Sequence, residues 1–406
     1  MSPDPIGGKL PRSFPWIHGS PARRNEQSTT VTLLIYGAYG YTGELVSEEA
    51  VGRGIDVVVA GRDERKVAEL ADRLGCEGRS FGLGNGTGAD RTAVDDVAEN
   101  IGDADAVLNC AGPFVDTYRP LVEACLGTET HYLDVTGELP VFEAIAARNA
   151  EAKDAGVCLL PGVGFDVVPT DCLAAHLHDR LPAATRLRLG FDPSGTISRG
   201  TLATAIEQFE AGGKRRHDGE IVDVPVGEGD RRIDFGRGER NAVLVPMGDL
   251  STAYRSTGIG TIDVYLALPK PAAIALRAGR FLSPLLAVEP VKRGLQRLVR
   301  ATVTGPSEQK REEGTCYVWG EASDGDRTVT SRLQTPETYA LTVDAATTAA
   351  QRVLGTGDGD PVGGDPGGGD PVGSGNGPSA GFQTPASAFG SEFVLELDGV
   401  EGFFDE

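Results

Sequence analysis

Lysine is scarce in this chain. Only seven of the 38 basic residues are Lys, at positions 9, 66, 153, 214, 270, 292 and 310, and the remainder are Arg. Against them stand 59 acidic residues and a formal charge of -21. A surface of that sign repels nucleic acid and anionic membranes. Together with the scarcity of Lys it suggests a high-salt cytoplasm, where screening removes the self-repulsion. The six cysteines (76, 110, 125, 158, 172 and 316) occur singly, without a C-x-x-C pair or a His at zinc spacing. That pattern fits a reduced cytosolic protein and indicates no metal site. His176 and His178 flank one helical residue, point to different faces and read as surface histidines. No uncharged apolar stretch reaches about twenty residues, so no transmembrane helix is expected. The first thirty residues mix Pro, Gly, Ser and both charges, and are read as a disordered extension rather than a signal peptide.

What the chain does have is length, 406 residues of which 40% are hydrophobic, enough for two or more domains with sizeable cores. Its organising stretch is Val31 to Gly43, VTLLIYGAYGYTG. An apolar, β-branched run ends in glycines spaced G-x-x-G-x-x-G, and a helical pattern follows at once. Strand, tight turn and helix in that order let backbone approach a phosphate, whose charge the amides and positive end of the helix attract. Gly37 would make the turn, Gly40 would admit the pyrophosphate and Gly43 would let the helix pack on its strand, with Ala38, Tyr41 and Thr42 completing the cradle. A second strand, Asp56 to Ala60, ends in Gly61, Arg62 and Asp63. An acid at that tip suits a ribose 2′-hydroxyl and an Arg suits a 2′-phosphate, so Arg62 favours NADP over NAD. Asp63 reads as the N-cap of helix 64–74.

Further strands are expected near Arg79 to Phe81, Ala104 to Asn109, Thr130 to Asp134 and Val157 to Leu160, with helices at 64–74, 90–100, 117–126 and 138–155 between them. The alternation implies a parallel, doubly wound α/β sheet of Rossmann type, whose ligands lie beyond the carboxyl ends of the strands. Three segments follow those ends: NCAGPF (Asn109 to Phe114), DVTGE (Asp134 to Glu138) and PGVGFDVVPTD (Pro161 to Asp171). Asn109 offers an amide where a nicotinamide ribose would lie. Ala111, Gly112 and Pro113 shape a sharp turn there, and Phe114 could wall the ring. Short-chain dehydrogenase chemistry is excluded, because no Tyr has a Lys four residues later. The G-x-S-x-G matches at Gly78 to Gly82 and Gly377 to Gly381 lack the strand, turn and helix of a nucleophile elbow.

Taken together, GAYGYTG, AGRDERKV, NCAGPF, HYLDVTGE and PGVGFDVVPTD resemble, in order and spacing, the saccharopine dehydrogenase-like oxidoreductases, in the branch that includes trans-acting enoyl reductases. The likeness runs on through SRGTLATAIE (Ser198 to Glu207), YLALPKP, YVWGE, TPETYALT and TPASAFG, over nearly the whole chain from Val31. The resemblance implies NADP(H) and an NADP-binding domain at 31–167. It also implies a second domain at 168–340, built on a mixed sheet, for substrate or dimer contacts. Helix 341–354 would return to the first domain. The G-D-P-rich stretch 355–378 reads as a flexible linker, and 379–406 as a segment docking on the body.

Within such a reductase the protein must supply orientation, a dry pocket and a proton donor. Candidate donors are Tyr118, Asp166 and Asp171, with Glu138 behind them; Asp166, between Phe165 and two valines, sits where desolvation would favour a held proton. For Tyr118 and Asp171 the competing readings are a packing residue and a helix residue. The expected substrate is a small hydrophobic molecule, a lipid or isoprenoid precursor reduced at a C=C bond. A saccharopine-type amino-acid dehydrogenase would instead want clustered Arg, and Arg215, Arg216, Arg231 and Arg232 keep that alternative open. A third reading is a non-catalytic cofactor-binding protein acting through partners or lipid surfaces. Pro271 to Arg300 mixes an apolar face with several Arg and reads as a core or dimer-forming helix pair, or as a peripheral membrane contact. A homodimer is expected.

Overall fold

The computed structural model describes residues 31–84, 91–193, 213–225, 228–270, 314–356 and 378–406. The amino-terminal extension, Ser198 to Glu207, Pro271 to Arg300 and nearly all of the 355–378 linker lie outside the described residues. In the first half strand and helix alternate: β1 (Thr32–Tyr36), α1 (Tyr41–Gly52), β2 (Asp56–Gly61), α2 (Glu64–Leu74), β3 (Glu77–Ser80), α3 (Arg91–Ile101), β4 (Ala106–Asn109), α4 (Phe114–Thr128), β5 (His131–Asp134), α5 (Leu139–Ala146), α6 (Asn149–Asp154) and β6 (Cys158–Leu160). Local chemistry sets these boundaries. The Asp63 carboxylate accepts the Lys66 amide at 3.2 Å at the start of α2, and Gly75 ends that helix in the left-handed region. The single helix expected over 138–155 is two helices. Arg148 N donates to Ile145 O in a tighter turn, and the Arg148 side chain pairs with Glu151 while lying 3.7 Å from Glu123 of α4.

The second half runs α7 (Val168–Arg180), β7 (Arg186–Pro193), β8 (Gly213–His217), β9 (Glu220–Val224), β10 (Arg231–Asp234), β11 (Glu239–Leu244), α8 (Asp249–Thr257), β12 (Thr261–Ala267), β13 (Thr315–Ser323), β14 (Thr328–Pro336), α9 (Thr338–Val353), β15 (Gly381–Phe382), α10 (Pro385–Phe389), a 3-10 turn (Ser391–Glu396) and β16 (Phe403–Asp405). Two sheets result. The first has the order β15-β6-β5-β4-β1-β2-β3 and is parallel throughout. Its order reverses between β1 and β4, which makes a switch-point crevice at their carboxyl ends. The second has the order β10-β11-β12-β7-β13-β14-β16, with the β8–β9 hairpin attached to β12; it is mixed, because β12 and β7 run parallel among antiparallel neighbours.

The expected boundary at 167/168 marks the change of sheet, but it does not separate two bodies. Val31–Glu406 form one compact unit. One apolar cluster runs from Leu33 and Ile35 on β1, through Leu173 and Leu177 on α7, to Leu187, Ile262 and Val318 on the second sheet. Helix α7 lies so close to that sheet that a Cβ on Gly320 would stand 2.5 Å from Leu177. The carboxyl-terminal segment ties the sheets together: β15 extends the first beside β6, and β16 extends the second beside β14. His176 is no surface bystander. It stacks on Phe403 with ring centroids 4.0 Å apart, and its Nε2 lies 2.9 Å from Asp405, which fixes β16. No helix among the described residues is long and apolar enough to cross a membrane.

Candidate functional site

The glycine turn after β1 is shaped by contacts that admit no side chain. Gly37 has φ +79°, and a Cβ there would lie 2.8 Å from the backbone N of Ala111. At Gly43 a Cβ would stand 2.3 Å from Gly37 O, so α1 closes directly onto the turn. The amides of Gly37 and Ala38 both donate to Ala60 O, stapling the turn to β2. Ala38, with its methyl fully buried, therefore shapes the cradle with its amide already spent. Gly40 caps α1 in extended conformation, and no side chain caps that helix. Its positive end is left for an anion. Tyr41 is 44% exposed and meets Tyr339 of α9 edge to face at 4.8 Å; Thr42 follows it in the first helical turn. At the tip of β2, Arg62 is exposed and makes no hydrogen bond or ion pair among the described residues, so its guanidinium is available to a 2′-phosphate.

The loops after β4, β5 and β6 follow as a chain of contacts along the same sheet edge. Asn109 is fully buried, which corrects its expected role. Its Nδ2 donates to Thr117 Oγ1 (3.1 Å) and Tyr132 Oη (3.3 Å), while its Oδ1 accepts the Ala111 amide (3.0 Å). The amide thus holds the Ala111-Gly112-Pro113 turn from behind and does not face a ribose. Phe114 is half-buried against the apolar cluster beneath the sheet. Glu138, offered above as a secondary acid, accepts the amides of Phe114 (2.9 Å) and Val115 (3.0 Å) and so caps α4. Behind both loops stands Asp134, which accepts from Tyr132 Oη at 2.9 Å, Thr136 N at 3.0 Å and Gly162 N at 2.9 Å. Burial pushes its carboxyl up to about 7. A hydroxyl two residues before an Asp at a strand end is the sequence signal for this hub, and it points equally well to an ordinary strand terminus.

The three candidate donors separate. Tyr118 packs against the cluster on the α4 side of the sheet, near Arg148, as a packing residue does. Asp171 is fully buried, with Oδ1 accepting from Ser256 Oγ (2.6 Å) and Oδ2 from Ala386 N (2.8 Å); it pins α10 to α7 and α8 and is a structural acceptor. Asp166 alone faces a crevice, lined also by Phe165, Pro169, Thr170, Phe191 and Val318, where the loop after β6 meets β7 and β13. Its carboxylate packs on Gly137, where a Cβ would come within 2.8 Å of Asp166 Oδ2. Solvent touches this residue, yet the protein packed around the carboxyl pushes it up to about 6. No group of three or more His, Cys, Asp or Glu among the described residues has the arrangement to hold a metal ion.

A parallel sheet that reverses at a glycine turn, beneath an uncapped helix and beside an unpaired Arg, defines a dinucleotide-binding protein of the NADP class. Residues 33–160 match the family model described as the saccharopine dehydrogenase NADP binding domain, and the match supports NADP(H) binding by this part of the chain. Among curated proteins, the chain is similar to a trans-acting enoyl reductase of Mycobacterium ulcerans, 27% identical over 203 residues, or 48% of each chain. It is also similar to the saccharopine dehydrogenase-like oxidoreductase of Homo sapiens, 27% identical over 198 residues, covering 44% of this chain and 46% of that one. The chain thus spans about half the length of the curated relatives it matches. Sequence likeness is therefore shorter than the motifs suggested. Likeness of fold goes further: apo saccharopine dehydrogenase (L-Glu forming) from Saccharomyces cerevisiae superposes with a TM-score of 0.57 at 13% identity, over 93% of this chain and all of that one.

Proposed function

We propose that this chain is an NADPH-dependent reductase that delivers a hydride to a C=C bond of a hydrophobic, lipid- or isoprenoid-like substrate. The observation that carries this reading is the crevice where the loop after β6 meets β7 and β13, in which one raised carboxyl, Asp166, stands among Phe165, Pro169, Phe191 and Val318. Bound NADPH supplies the hydride. The glycine turn and the first turn of α1 would hold its pyrophosphate, Arg62 would pair with its 2′-phosphate, and the Gly112–Pro113 turn with Phe114 would border its nicotinamide end. The apolar walls strip water from the alkene, and Asp166 places its proton on the carbon next to the substrate's activating carbonyl.

The amino-acid dehydrogenase alternative is weakened by the state of its candidate arginines. Arg215 pairs with Asp263 (2.8 Å), Arg231 lies 3.4 Å from Glu321 and Arg232 pairs with Glu239 (2.9 Å). Arg216, buried, spends its guanidinium on Leu250 O, Gly219 O and Glu143. Each of the four thus already has an acidic partner within 3.4 Å. The test is a fluorescence titration of the purified protein with NADPH and NADH in molar KCl, followed by NADPH oxidation with trans-2-enoyl thioesters. Preferential NADPH binding with turnover that Asp166→Asn abolishes supports the reading. Binding without turnover on any enoyl substrate favours the non-catalytic alternative, and binding of neither nucleotide overturns both.

A further inference from the structure

Asp249 begins α8 with no exposed surface, and among the described residues its carboxyl has one side-chain partner, Thr170 on α7. Its Oδ2 is buried without any hydrogen bond. No Lys, Arg or His among the described residues bonds to it or pairs with it. An ionised carboxylate held by one neutral hydroxyl and its own backbone amide in a dry interior is far costlier than the neutral acid. The charges on the elements packed around α8 give no relief. Glu143 of α5 is taken up by Arg216 and lies 3.7 Å from Arg255, while Asp263 of β12 is taken up by Arg215. Asp166 and Asp171, on the α7 side, are acids themselves. Burial with these two neighbours pushes Asp249 up to about 7.

The position of this acid gives it a role. Thr170, its partner, lines the same crevice as Asp166. Gly248, immediately before it, donates its amide to Gly137 O at 3.0 Å, and Gly137 is the residue on which the Asp166 carboxylate packs. We propose that Asp249 is a second acid of the site, coupled to Asp166 across the Gly137 loop and presented to the crevice through Thr170. Asp249 acts as a positioning residue. While it is neutral, Asp166 can give up its proton without creating a second anion beside an existing one, and the charge on either acid raises the proton affinity of the other.

This inference takes its meaning from the proposed reductase site, but its test needs neither cofactor nor substrate. Carboxyl carbon NMR of the full chain, titrated from about pH 4 to about pH 9, follows both aspartates. Asp249 is expected to titrate near neutrality. Asp166→Asn is expected to lower the Asp249 midpoint, and Asp249→Asn to lower the Asp166 midpoint by the same shift, because coupling between sites is reciprocal. Thr170→Val removes the hydroxyl that favours the ionised form and is expected to raise the Asp249 midpoint. Should Asp249→Asn fail to fold, the exposed Asp166→Asn variant and Thr170→Val still decide. An Asp249 that titrates as an ordinary carboxylate, or that ignores Asp166→Asn, overturns the proposal. A chain that shows the coupling but oxidises no NADPH sinks the reductase reading and leaves the pair standing.

Discussion

Replacing Gly43 and Gly40 by Ala, one at a time, separates the two tasks given to the glycine turn. At Gly43 the new Cβ would lie 2.3 Å from Gly37 O and 2.9 Å from Ala38 Cα, all backbone. Comfortable non-bonded contacts lie at about 3.5 Å, so roughly an ångström of movement is required. The turn cannot supply it cheaply. It is stapled to Ala60 O by two amides and abuts Ala111 on its other side. Helix α1 must tilt outward instead. Overpacking of this kind costs about 1–3 kcal/mol, against at most about 1 kcal/mol gained from Ala over Gly in a helix. Gly43→Ala is therefore expected to lose about 1–2 kcal/mol of stability, and to weaken NADPH by tenfold or more as the helix amides leave the phosphate. At Gly40 the backbone is extended (φ -75°, ψ 163°) and a Cβ meets only Gly37 O, at 3.1 Å. Gly40→Ala should then cost under about 1 kcal/mol, as an N-cap change, while its methyl group still obstructs the pyrophosphate. Denaturant unfolding and NADPH fluorescence titration measure both quantities on both variants. A Gly43→Ala protein with unchanged stability and unchanged NADPH affinity would refute the reasoning.

Arg62→Ala is expected to weaken NADPH about tenfold to a hundredfold, the worth of one charge-assisted phosphate contact of about 1.5–3 kcal/mol, and to leave NADH unchanged in the same titration. Equal losses for the two nucleotides would remove Arg62 from the 2′-phosphate. Asp171→Ala strips the acceptor from Ser256 Oγ and Ala386 N, and should cost about 2–5 kcal/mol and expose the 378–406 segment to limited proteolysis; wild-type melting and cleavage would argue against the pin. For Asp134 the folded carboxyl, at about 7, binds its proton more tightly than an ordinary Asp at 3.8. Its contribution to stability is therefore largest below about pH 4 and is lost as the pH rises to about 7, by up to about 4 kcal/mol. The difference between wild type and Asp134→Asn in unfolding free energy, measured at a series of pH values, should show this slope whatever constant offset the Asn introduces. A difference that does not vary with pH would contradict it.

The first sheet was legible because its signals are local. A β-branched run, three glycines at fixed spacing and an N-capped helix each report on a few neighbouring residues, and strands alternating with helices leave little choice of topology. The site was legible only in part. The place of Arg62 at a strand tip could be read, and it stands exposed there. The tasks of Asn109 and Glu138 could not, because each is defined by partners elsewhere: Thr117 and Tyr132 for one, the Phe114 and Val115 amides for the other. Both carry the polar groups that a cofactor site needs, and both spend them on holding the loops that would surround a cofactor. Asp249 left no trace at all in the sequence. Nothing in GDLSTAYRST distinguishes a buried acid from a solvated one at a helix start, and its significance arises from Thr170, 79 positions away.

Three carboxyls at one edge of the fold, Asp134, Asp166 and Asp249, are pushed up to between about 6 and about 7, and no Lys, Arg or His among the described residues pairs with any of them. The two fully buried ones, Asp134 and Asp249, weaken the folded state near neutral pH relative to a neutral residue of the same shape. A protein with 59 acidic residues has no need of these three for solubility or charge. Their grouping around the loops after β5 and β6 is therefore the feature that stability alone explains least. A site that must hold a proton near neutrality requires that raised affinity, and it can be had only by accepting the loss. Under the proposed reductase reading, the carboxyl whose replacement by Asn abolishes turnover is the one that carries the proton to the substrate, and Asp166, which lines the crevice, is expected to be that carboxyl.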